Sequence, residues 1–105
     1  MDLELSGKRV IISGASRGIG LAIVERFLAE GASVAFFARG QEGVDRALKA
    51  LGAKGVVYGS AIDAADHDAV RSWVREAAAQ LGGIDIVINN TSASASVEWT
   101  VEAWR

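Results

Sequence analysis

The chain has 105 residues, half of them apolar (50%) and 23% charged, with a mean hydropathy of +0.24. That balance supports one globular domain with a real core and excludes a disordered or collagen-like chain. Thirteen acidic against eleven basic residues leave a net charge of −2, so no basic field exists to attract nucleic acid or an anionic membrane, and the lack of cysteine removes disulfides and thiolate metal sites.

The opening Met1-Asp2-Leu3-Glu4 is acidic and resembles no signal peptide. No apolar run approaches the roughly 20 residues that cross a bilayer, and a cytoplasmic protein is the expectation. Arg9–Ser13 is a short apolar run closed by Gly14, the pattern of a strand buried on both faces. Ile19, Ala22, Ile23 and Phe27 then fall on one helix face, with Gly31 as the stop. A second strand run follows over 33–38. Val44, Ala47, Leu48 and Leu51 keep i, i+3, i+4, i+7 spacing before Gly52. A weaker strand is predicted over 55–59, then a helix with Val70, Trp73, Val74, Ala77, Ala78 and Leu81 on one stripe and Gly82-Gly83 behind it. A fourth strand is predicted over 84–88, and from Thr91 a loop leads toward another helix.

This alternation predicts an α/β fold: a Rossmann-type, doubly wound parallel sheet of strand order 3-2-1-4 in a single domain over 1–105. The fourth strand would be an apolar edge, which needs another strand or a cover. The expectation is therefore a sheet truncated after its fourth strand. Either a C-terminal half or a second copy of the chain would complete it, the latter giving a homo-oligomer.

Ser13-Gly14-Ala15-Ser16-Arg17-Gly18-Ile19-Gly20 stands between the first strand and the first helix. Gly14 allows a sharp turn off the strand, Gly18 lets backbone approach a ligand, and Gly20 lets helix and sheet pack closely. The helix amino terminus aims free N–H groups at this turn, a seat for a pyrophosphate, and Ser16 and Arg17 can add a hydroxyl and a guanidinium. The alternative is a glycine-rich turn that binds nothing. A P-loop is excluded because no lysine follows the glycines.

Residues 13–20 resemble the Thr-Gly-x-x-x-Gly-x-Gly signature of the short-chain dehydrogenase/reductases, with Ser13 in place of Thr. Ile86-Val87-Ile88-Asn89-Asn90 resembles the family's strand ending in Asn-Asn-Ala-Gly, although Thr91-Ser92 replaces Ala-Gly. The chain is similar to 3-oxoacyl-carrier-protein reductase-like members from about Leu5 onward. The resemblance implies an oxidoreductase that moves a hydride between a nicotinamide and a carbonyl or alcohol carbon. Gly14, Ser16, Arg17, Gly18, Ile19 and Gly20 would cradle the dinucleotide, with Asn90, preceded by Asn89, near its ribose. Asp63 matches the family position beside the adenine amine. A turn-forming role for Asp63 and for the Asn pair is the alternative in each case.

The second strand run ends in Ala38-Arg39-Gly40, with no acid before Glu42. An acid there binds the ribose of NAD(H), whereas a cation suits the 2′-phosphate of NADP(H), so Arg39 favours NADP(H) unless it is merely solvated. No catalytic residue is assigned. The family's proton chemistry uses a Ser and a Tyr-x-x-x-Lys pair, but the single tyrosine, Tyr58, is followed four positions on by Ile62, and the lysines are Lys8, Lys49 and Lys54. Ser92, Ser94 and Ser96 have no partner base. His67, between Asp66 and Asp68 at a helix start, reads as solvated, and no metal site is expected. Trp99, Val101 and Trp104 either pack on the sheet or form a face for another segment or subunit. Three readings follow: part of a longer reductase, a non-catalytic nucleotide binder, or a self-associating chain without ligand.

Overall fold

A computed structural model describes residues 5–15 and 18–90. The chain alternates β1 (Arg9–Ser13), α1 (Gly18–Ala29), β2 (Ser33–Ala38), α2 (Gln41–Leu51), β3 (Val57–Ala61), α3 (His67–Leu81) and β4 (Ile86–Asn89). The four strands form one parallel sheet in the order β3-β2-β1-β4, as the alternation predicts.

β1 and β2 are unbroken apolar runs because both their faces are covered. Val10, Ile12, Val34 and Phe36 point to one side, against Val24 and Leu28 of α1 and Val44 and Leu51 of α2. Ile11, Ala35 and Phe37 point to the other, against Val70, Trp73, Val74 and Ala77 of α3. There Phe37 and Trp73 meet edge to face with ring centroids 4.9 Å apart. The stripe predicted on α3 is thus the one buried. On α1 the fully buried residues are Gly20, Val24 and Leu28; of the predicted face, Ile23 and Phe27 pack partly buried against the same core, while Ile19 is 75% exposed. Gly20 sets that rotation, since only a residue without Cβ lets α1 lie so close to the loop before it.

Two boundaries differ from the sequence pattern, both through glycines. α2 ends at Leu51 with Gly52 as its cap, as predicted, but Gly52 is itself helical (φ −58°) and opens a 3-10 turn, Gly52–Lys54, that runs to Gly55 at φ +156° and delays the next strand. Gly55 faces Leu28 there, and the strand starts two residues later than predicted, at Val57. After α3 the chain leaves through Gly82 in the left-handed region (φ 84°) and Gly83 (φ 142°), so β4 begins at Ile86. At the other end of α3 the Asp66 carboxylate caps the helix, accepting from the Ala69 N–H at 3.1 Å.

Among the described residues β4 has one strand neighbour, β1, and its Ile86, Val87 and Ile88 are only half-buried. No described helix is long and apolar enough to cross a membrane.

Candidate functional site

Because every strand runs the same way, Ser13, Ala38, Ala61 and Asn89 end along one edge of the sheet. Between β1 and β4 successive connections depart to opposite sides, the place where open α/β sheets form a ligand crevice.

The glycine loop leaves β1 by folding over the end of β2. The N–H groups of Gly14 and Ala15 both donate to the Phe37 carbonyl, at 2.8 and 3.2 Å, and Gly14 stands at φ +70°. Ala15 is fully buried. Gly18 opens α1 at φ +63°, and no described atom lies within 4 Å of where its Cβ would be. Gly20 is the opposite case: a Cβ there would stand 2.5 Å from the Gly14 carbonyl oxygen and 2.6 Å from Asn90 Nδ2. This is the close approach of helix to strand that the glycine spacing predicts.

The Asn pair closes the loop from the β4 side. Ser13, 2% exposed, donates its hydroxyl to Asn89 Oδ1 at 2.9 Å and accepts the Asn90 N–H at 3.0 Å. Asn90 Nδ2 donates to the Gly14 carbonyl at 3.0 Å. Ser13, Gly14, Gly20, Asn89 and Asn90 are therefore one assembly. The hub role of Ser13 escapes sequence reading; the available signal is a hydroxyl at the last position of a strand parallel to one ending in two amides.

The remaining site residues lie along the same edge. Arg39 is exposed directly after β2, and no described residue forms an ion pair with it. Asp63 turns the chain from β3 toward α3: its Oδ1 accepts the Ala65 N–H at 2.9 Å and its carbonyl accepts the Asp66 N–H at 2.9 Å. The structure thus shows Asp63 in the turn-forming geometry. Ser16 and Arg17 lie outside the described residues, as do the loop serines and Trp99, Val101 and Trp104. Tyr58 lies on β3, at the far side of the sheet from the Asn pair, and His67 is exposed at the first position of α3.

A second polar assembly, also missed from sequence, sits at the opposite end of β1 and β4. Arg9 pairs with Asp85 at 2.9 Å and holds its carboxyl down to about 2, through the side-chain hydrogen bond first and the Arg9 backbone N–H second. Asp85 in turn raises the Arg9 guanidinium.

Residues 8–105 match the family model for short chain dehydrogenases, and the chain belongs to that family. It is 37% identical over 91 residues to the 3-oxoacyl-[acyl-carrier-protein] reductase FabG of Chlamydia pneumoniae, covering 86% of this chain and 37% of that protein. The structure is similar to the L-sorbose reductase from Gluconobacter frateurii complexed with NADPH and L-sorbose (TM-score 0.82, 36% identity, 99% of this chain and 41% of that one). It is also similar to an NAD+-bound xylitol dehydrogenase (TM-score 0.81, 26% identity, 86% and 35%). The chain spans about 34–42% of the length of the first curated relatives it matches.

Proposed function

We propose that residues 1–105 are the coenzyme-binding part of a nicotinamide-dependent oxidoreductase, with NADP(H) as the coenzyme. The observation that carries this is the glycine loop at the switch between β1 and β4. Among the described residues nothing lies within 4 Å of a Cβ at Gly18, whereas at Gly20 the loop is pressed against the Gly14 carbonyl and Asn90, where a Cβ has no room. A coenzyme diphosphate takes its hydrogen bonds from backbone N–H groups at a helix start, and this loop offers them at the start of α1. Bound there, the nicotinamide supplies hydride transfer to or from a carbonyl or alcohol carbon.

The relatives' descriptions name both NADPH and NAD+. The choice of NADP(H) rests on Arg39, an exposed guanidinium at the end of β2 with no acid before Glu42. Arg17 would add a second cation. Asp63 and Asn90 would face the adenine amine and the ribose, with Asn89 holding Ser13 behind them. The family's Tyr-x-x-x-Lys pair is not in these 105 residues. The chain by itself therefore binds coenzyme without turning it over, and the reaction belongs to a longer protein.

Titration of the 105-residue chain with NADPH and NADH tests this. NADPH is expected to bind at least tenfold more tightly. Arg39→Ala should remove about 1.5–3 kcal/mol of NADPH affinity, the worth of a charged hydrogen bond, and leave NADH nearly unchanged. Equal affinities would remove the role given to Arg39, and no binding of either would remove the reading.

A further inference from the structure

β4 is four residues long, and its interior, Ile86-Val87-Ile88, consists of similar branched aliphatic side chains, each half-buried. Such a strand specifies its own register poorly. A one-residue slip along β1 exchanges isoleucine and valine within the strand and changes side-chain character only at its ends, where Asn89 or Asp85 would take the half-buried place of Ile88 or Ile86, so the polar residues at the two ends hold the register. Yet the site depends on register, because Asn89 and Asn90 reach Ser13 and Gly14 only in the observed pairing of Val10 with Ile86 through Ser13 with Asn89.

Polar groups at the start of the pair settle this. Arg9 Nε and Nη2 donate to the two Asp85 oxygens at 2.9 and 3.1 Å, and Nη1 donates to the Gly82 carbonyl at 2.7 Å. The Arg9 backbone N–H donates to Asp85 Oδ2, and the Asp85 N–H returns to the Arg9 carbonyl, both at 2.8 Å. Gly83 makes room for the guanidinium, since a Cβ there would stand 2.6 Å from Nη1. Arg9 with Asp85 and Ser13 with Asn89 have the same sequence separation, 76 residues. No other register satisfies both ends.

We infer that Arg9 and Asp85 are a register clamp, a positioning pair that holds β4 against β1 so that Asn89 and Asn90 close the glycine loop. Arg9 and Asp85 side chains are 38% and 27% exposed. A solvent-reached pair of this kind contributes modestly to global stability, so the clamp is read from strand placement rather than from unfolding alone. The inference concerns how the loop is assembled; only its consequence for coenzyme affinity rests on the proposed function.

Amide hydrogen exchange, read residue by residue, tests the clamp without ligand. The Asn90 N–H, bonded to Ser13, reports the β4 side of the loop, and the Gly14 N–H, bonded to Phe37, reports the β2 side. In Asp85→Ala, protection at Asn90 is expected to fall at least tenfold relative to Gly14. Arg9→Lys, which keeps the charge but loses the fork, should give a smaller loss in the same direction and serves if Asp85→Ala does not fold. Equal losses at Asn90 and Gly14, or none at either, would overturn the clamp. NADPH affinity, measured alongside, should fall with Asn90 protection. A parent chain that binds no NADPH would count against the coenzyme reading alone, because the exchange comparison still decides the clamp.

Discussion

Asp85 shows how one residue's charge is tied to its fold. Its carboxyl is held at about 2 against an ordinary 3.8, because ionised Asp85 accepts from the Arg9 guanidinium and backbone N–H. A folded-state value below the unfolded one means that ionisation favours the native chain. The contribution is complete above about 3.8 and is lost as pH falls from there toward 2. Denaturant midpoints measured between those limits should therefore fall more steeply for the parent than for Asp85→Asn. Parallel slopes would show that the pairing does not persist in solution. At this scale the sequence was only partly legible. Arg39, Asp63 and the Asn pair are visible as chemistry-bearing residues at strand ends. Their partners are not, because a hydrogen bond such as Ser13 to Asn89 spans 76 positions and depends on which strands become neighbours.

Among the elements, glycine does different work at different places, and substitution separates them. At Gly20 a Cβ meets backbone on one side, the Gly14 oxygen at 2.5 Å and Ala15 Cα at 2.8 Å, so relief requires moving the loop or the start of α1. Gly20→Ala is expected to cost about 1–3 kcal/mol in chemical denaturation, the range for overpacking. Gly52→Ala is the contrasting case: φ is −58° and nothing lies within 4 Å, so it should be neutral or stabilise by up to about 1 kcal/mol. Comparable losses at both positions would contradict the packing described for α1. The helix periods locate α2 and α3 correctly, because each has one apolar stripe and one core to face. On α1 apolar residues lie on more than one face, and the contact at Gly20 decided which of them are fully buried. The starts of β3 and β4 moved because Gly55 and Gly83 take extended positive-φ turns before pairing begins.

For the molecule as a whole, the described helices bury both faces of β1 and β2, while β4 is only partly covered by them. Ile86, Val87 and Ile88 stay half-buried, and β4 has no described strand beyond β1. An apolar edge invites pairing. The 105-residue chain is therefore expected to self-associate, with a sedimentation coefficient that rises with concentration in the micromolar range. A concentration-independent monomer would show that the edge is covered by other means. The match over residues 8–105 agrees with the parallel order β3-β2-β1-β4, which brings the glycine loop and the Asn pair to one crevice although 76 positions separate Gly14 from Asn90.

By itself the amino-acid sequence determined the alternation of strand and helix, the parallel sheet and its order, and the position of the glycine loop at which we propose a diphosphate binds. Those features follow from local rules: apolar period, helix stops, and glycine's freedom of φ. Only the tertiary structure decided which face of α1 is buried, that Ser13 joins both asparagines, and that Arg9 meets Asp85. Each of these rests on a contact between distant segments, and such contacts exist only once β4 has taken its place beside β1.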